Sequence, residues 1–159
     1  MDYQLHKNNP FLRQHVLHVG RHELIRQDKV DNGHSIWKSR AVISINDTQP
    51  ELTQMMNILT YSNSRADLFL LCADDDSMTL EQAKQIQRFV WTHHHENFLV
   101  HCYLGVSRSA AVAKWINDYL KLGDEELNDY KGYNKHIYDL LSSLGEVDLT
   151  PSHEEATDD

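Results

Sequence analysis

The chain alternates between short continuous apolar runs and longer segments with helical periodicity. Ala41-Val42-Ile43-Ser44-Ile45, Leu68-Phe69-Leu70-Leu71-Cys72-Ala73 and Phe98-Leu99-Val100-His101-Cys102 are apolar and largely β-branched or aromatic, and read as buried strands. His15-Val16-Leu17-His18-Val19-Gly20 reads as a weaker first strand. Glu23–Val30 is mixed, a short helix or a loop, and Asp31-Asn32-Gly33-His34 is a turn signal. Leu52, Met55, Met56 and Leu59 share one helical face, predicting a helix over 50–61. Leu80, Ala83, Ile86, Phe89 and Val90 do the same over 80–92. Each helix is preceded by a capping-box pattern, Thr48-Gln49-Pro50-Glu51 and Thr79-Leu80-Glu81-Gln82. Val112, Trp115, Ile116 and Tyr119 predict a helix over 108–121, ending near Lys121 and Gly123. A short helix is expected over 125–130 and a last one over 134–144.

Strands alternating with amphipathic helices predict an α/β fold: a single domain with a central, mainly parallel sheet covered by helices on both faces. The 159 residues suffice for one domain with a true core. We place that domain at 1–145 and read the acidic, aperiodic 146–159 as a disordered tail.

Charge and cysteine content narrow the function. The formal net charge is −9, which disfavours nucleic acid as a partner. Any phosphate site is then local, built from a turn and one or two cations. Lys38 and Arg40 are read as solvent-facing. The two cysteines, Cys72 and Cys102, form neither a disulfide scaffold nor a metal-ligand pattern. No 18-residue apolar run or apolar leader occurs. The expectation is a soluble cytoplasmic monomer, with no cofactor, metal or membrane partner. His93-His94-His95 point in different directions at a helix end and read as a solvated terminus. Trp91 and Trp115 read as core.

The chemistry concentrates at 101–109. A strand ends at Cys102, a turn of Tyr103-Leu104-Gly105-Val106-Ser107 follows, and Arg108-Ser109 opens a helix. In open α/β folds, sites lie at the carboxyl ends of strands. The turn's amides and the helix N-terminus form an anion nest. Gly105 allows positive φ and close approach of a ligand. Arg108 supplies a bidentate fork for phosphate oxygens. That field favours the thiolate of Cys102, a nucleophile for in-line attack on phosphorus. Ser109 is placed to donate to the sulfur as it leaves. His101 faces the opposite side of the strand and orients backbone behind the loop. Tyr103 is a candidate for the pocket mouth. An oxygen leaving group needs a general acid. If the 68–73 strand neighbours that of Cys102, then Asp74-Asp75-Asp76 stands beside the thiol, and one of the three is the acid. Cys72 reads as a core residue, with a redox disulfide to Cys102 as the alternative.

His101-Cys102-Tyr103-Leu104-Gly105-Val106-Ser107-Arg108-Ser109 resembles the HCxxGxxR(S/T) signature of the cysteine-dependent protein tyrosine phosphatases, most closely the compact dual-specificity branch. The resemblance extends more weakly over 15–144. His18-Val19-Gly20 resembles the family's first strand, and Tyr133-Asn134 the start of its final helix. It implies hydrolysis of phosphotyrosine monoesters on proteins, with phosphoserine and phosphothreonine as further substrates, through a phosphocysteine. It favours Asp75 as the acid, with Asp74 second. The loop lacks the lysine of phosphoinositide enzymes and the added His and Asn of RNA triphosphatase relatives. The Arg-Pro that often precedes the last helix is missing. A phosphate-binding module without turnover, and a phosphatase acting on RNA 5′-phosphates or a small metabolite, are the competing readings.

Overall fold

The computed structural model describes residues 14–30, 36–73 and 76–149. Four strands form one sheet: β1 (Val16–Gly20), β2 (Arg40–Asn46), β3 (Ala66–Leu71) and β4 (Asn97–Cys102). All pair in parallel, in the spatial order β1-β4-β2-β3. The described helices are α1 (Arg21–Val30), α2 (Gln49–Thr60), α3 (Leu80–Thr92), α4 (Arg108–Tyr119), α5 (Glu125–Asp129) and α6 (Lys135–Ser142). The ambiguous segment after β1 is thus helical, and the other expected elements form within two residues of their expected ends.

Apolar clusters lie on both faces of the sheet. On one, Ile43, Ile45, Val100 and Cys102 pack with Ile86 and Val90 of α3, Val112 and Ile116 of α4, and Ile137 and Leu141 of α6. On the other, Val42 and Leu99 pack with Leu24 of α1, Trp37, and Met55 and Leu59 of α2. Strand β2, covered on both faces and flanked on both edges, is buried at every position. This is why its sequence reads as a run rather than an alternation.

The caps form where the sequence places them. Thr79 Oγ1 accepts from Gln82 N (3.1 Å), and Gln82 Oε1 accepts from Thr79 N (3.1 Å). Thr48 Oγ1 accepts from Glu51 N (3.3 Å), but Glu51 takes the Thr48 hydroxyl rather than closing the box.

Three expectations are corrected. Strand β3 does not neighbour β4, because β2 lies between them. Cys72 N donates to Asn46 O (2.9 Å), so Cys72 stays on the far side of β2 from Cys102. At about 4.8 Å per strand spacing, their Cα atoms are roughly 9–10 Å apart laterally, beyond a disulfide's reach without backbone movement. Arg40 is buried, with Nε 3.2 Å from His15 Nε2. Trp115 is core, but Trp91 is substantially exposed and stacks on His94. The turn at 31–34 and the tail from 150 onward lie outside the described residues.

Candidate active site

The insertion of β4 between β1 and β2 sets the site. Cys102 pairs in register with Gly20, and His101 with Ser44. The loop after Cys102 therefore emerges between the carboxyl ends of β1 and β2, where chain connections diverge and leave a crevice.

Four bonds from outside, and one from the first turn of α4, hold the loop's carbonyls. Arg21 N donates to Tyr103 O (3.0 Å), and His18 Nδ1 donates to Gly105 O (2.7 Å). The Tyr130 hydroxyl donates to Val106 O (2.7 Å). Ser107 O accepts from Asn134 N (3.0 Å) and Ala111 N (3.0 Å). No peptide among the described residues is cis, and a trans peptide directs its N–H opposite to its C=O. The N–H groups of Leu104, Val106, Ser107 and Arg108 consequently turn to the concave side. Gly105 N–H also points there and donates to Cys102 Sγ (3.2 Å). The Gly105 amide thus meets the sulfur directly, and the loop runs into the N-terminus of α4, whose N-cap Ser107 makes no side-chain cap bond.

Glycine is required twice. Gly105 has φ +79°, and a Cβ there would fall 2.3 Å from Gly20 N. A Cβ on Gly20 would in turn sit 2.8 Å from Leu104 O. The end of β1 and the loop therefore meet backbone to backbone.

Cys102 is 2% exposed, and its thiol donates to Ser109 Oγ at 3.2 Å. In the thiolate the direction reverses. His101 is fully buried behind the loop. The Ser44 hydroxyl donates to its Nε2 (2.6 Å), itself accepting from Asn46 Nδ2 (2.9 Å), so Nδ1 carries the proton and faces Cys102 O at 3.5 Å. Burial lowers the His101 pKa to about 4; the bond to the Cys102 carbonyl opposes this, and the charges of Arg21 and Arg108 add to it. The ring is neutral at pH 7 and cannot serve as the thiol's base.

Arg108 is also buried. Its Nη1 donates to Asp47 Oδ1 (2.6 Å) and to the carbonyls of Cys72 and Ala73. Burial alone would lower its pKa, but the bond and charge of Asp47 outweigh that and raise it. Asp47 was not identified from sequence. It follows β2, the strand that does neighbour β4, and its position at a strand's carboxyl end was the available signal. Asp74 and Asp75 lie outside the described residues; Asp76 is exposed. The chain leading to them meets Arg108 at Cys72 and Ala73.

Tyr103 is 39% exposed and packs edge-on against His22 (5.6 Å between centroids). It stands beside Arg21, Asn46, Asp47 and Glu51 in a surface dimple. Leu104 and Val106 are exposed on the loop's rim. Asn134 caps α6, its Oδ1 accepting from Ile137 N (2.8 Å), while its own N–H holds Ser107. Among the described residues, no group of three or more His, Cys, Asp or Glu is arranged to hold a metal, and no helix is long and apolar enough to cross a membrane.

No protein-family model matches the sequence, and no curated protein matches it. Solved structures do match in shape. The Cydia pomonella PTP-2 phosphatase superposes with a TM-score of 0.56 at 21% identity, covering 81% of this chain and 84% of that one. The active form of Tk-PTP gives 0.53 at 18% identity, covering 83% and 92%. PTPMT1 gives 0.50 at 17%, covering 80% and 87%. The chain has the protein tyrosine phosphatase fold.

Proposed function

We propose that the protein is a cysteine-dependent phosphatase that hydrolyses phosphotyrosine monoesters on proteins. The observation that carries this is the buried sulfur of Cys102, which accepts from the Gly105 N–H inside a loop whose carbonyls are held by bonds on its other side. A phosphate dianion is the ligand whose charge and oxygen count fit such a nest.

The amides and the Arg108 fork grip the non-bridging oxygens, and the Cys102 thiolate attacks phosphorus opposite the leaving oxygen. Asp75, with Asp74 as the alternative, protonates that oxygen as the P–O bond breaks. The product is a phosphocysteine. The same carboxylate then takes a proton from water, whose oxygen attacks phosphorus. Ser109 donates to the departing sulfur. His101 orients the Cys102 carbonyl, and Asp47 holds Arg108. These steps use no metal or cofactor. Support for the acid assignment comes from Cys72 and Ala73, whose carbonyls both accept from Arg108.

We further propose residues 1–145 as the catalytic domain and a monomeric, cytoplasmic enzyme acting on phosphorylated protein. Phosphoserine and phosphothreonine are secondary substrates in this reading. The net charge of −9 disfavours nucleic acid as a partner. Turnover of an aryl phosphate should be inhibited by orthovanadate and abolished in Cys102→Ser. Turnover surviving that substitution would overturn the mechanism. Asp75→Ala or Asp74→Ala should lower kcat, least for substrates with good leaving groups. A panel of phosphopeptides decides the residue preference.

A further inference from the structure

Two of the bonds that hold the loop from outside come from side chains that touch each other. His18, on β1, donates from Nδ1 to Gly105 O (2.7 Å). Tyr130, just past α5, donates from its hydroxyl to the next carbonyl, Val106 O (2.7 Å). Their rings pack at 5.5 Å between centroids. A third residue shapes the pair: a Cβ placed on Gly132 would come 3.0 Å from the Tyr130 hydroxyl oxygen. The glycine leaves room for the phenol at the position from which it reaches the loop.

These contacts fall at the middle of the turn. Gly105 has φ +79°, and Leu104 and Val106 on either side are exposed. Main-chain donors of neighbouring elements hold the Tyr103 and Ser107 carbonyls. Among the described residues, side chains hold those of Gly105 and Val106. The Gly105 carbonyl shares a peptide plane with the Val106 N–H, and the Val106 carbonyl with the Ser107 N–H. Fixing those two carbonyls outward fixes two of the anion-binding amides inward.

We propose that His18 and Tyr130 form a clamp that positions the Val106 and Ser107 amides for phosphate, with Gly132 giving the phenol its room. The inference rests on the phosphatase reading of the site and adds positioning residues far from it in sequence. Neither side chain contacts the reacting atoms. Each acts through the carbonyl it holds. Losing the Tyr130 bond frees the 106–107 peptide to rotate, and the ordering must then be supplied by the bound anion, which weakens binding.

The test compares wild type, Tyr130→Phe, Gly132→Ala and the double variant. Inhibition constants for inorganic phosphate and orthovanadate are read beside kcat/KM for an aryl phosphate and the Tm. Tyr130→Phe keeps the ring and its packing on His18 and removes one hydrogen bond. We expect both inhibition constants to rise roughly threefold to tenfold, and kcat/KM to fall by a similar factor. A purely structural role would lower Tm or the active fraction and leave the inhibition constants unchanged. Gly132→Ala should produce the same weakening by displacing the phenol, and the double variant should be no worse than Tyr130→Phe alone, because both changes remove one contact. Unaltered inhibition constants in Tyr130→Phe, or additive losses in the double variant, would overturn the clamp while leaving the phosphatase reading intact. A wild type that binds neither anion and turns over no aryl phosphate would overturn both.

Discussion

His101 makes the pH dependence of folding a quantitative probe of the site. The ring is completely buried between Ser44 and the Cys102 backbone and stays neutral in the folded protein down to about pH 4. In the unfolded chain it titrates near its ordinary value of 6.5. Between those values the unfolded state takes up a proton that the folded state refuses, so acid favours unfolding. The stabilisation is fully present above 6.5 and is lost as pH falls toward 4. The interval from 6.5 to about 4, at ~1.36 kcal/mol per pH unit, corresponds to about 3 kcal/mol, of which about 2.5 is gone by pH 4.5. Urea unfolding at pH 7.0 and pH 4.5, followed by fluorescence of the buried Trp37 and Trp115, measures it. The chain has eleven histidines and many carboxylates, so the comparison needs His101→Asn alongside. The variant should be the less stable protein at pH 7.0, having lost the Ser44 partner. Its stability should fall less steeply with acid, narrowing the gap to wild type by about 2–3 kcal/mol at pH 4.5. A gap that stays constant across this range would refute the account of a buried, neutral His101.

Other perturbations separate the parts of the site. Asp47→Asn removes the charge that holds Arg108, a charge-assisted bond worth about 1.5–3 kcal/mol, and kcat/KM for an aryl phosphate should fall at least about tenfold while the fold persists by circular dichroism. Arg108→Lys keeps a cation but loses the fork, so phosphate inhibition should weaken and kcat should fall on the order of a hundredfold. Gly105→Ala combines a positive φ with a backbone collision against Gly20, and should cost about 3 kcal/mol or more in urea unfolding and abolish vanadate binding. Peroxide treatment of the native protein followed by peptide mapping should give no Cys72–Cys102 crosslink, because β2 stands between the two cysteines.

Much of this site is local in sequence and was legible there. The proposed nucleophile, the turn, the arginine and the following serine occupy eight consecutive positions, and a strand and a helix flank them for reasons of periodicity alone. The facing of His101 also followed from alternation: a residue adjacent to Cys102 on a strand must face the other side. The position of Asn134 was visible, but its two bonds were not, since its partner Ser107 lies 27 residues away and no periodicity links them.

Strand order was not legible. Buried parallel strands all read as apolar runs, and nothing in such a run says which neighbour it will have. Residues 68–73 were therefore a reasonable flank for Cys102, yet the structure puts β2 there and brings Asp47 to Arg108. Arg40 misled for a related reason: a charged residue before a strand reads as solvated until a partner such as His15 is placed against it. The sequence by itself determined which atoms can perform chemistry and the turn that gathers them. Only the tertiary structure decided what surrounds that turn, from Gly20 under Gly105 to the His18–Tyr130 pair at its rim. Local patterning records how buried each position is, whereas the identity of a long-range neighbour depends on how separate strands and helices assemble.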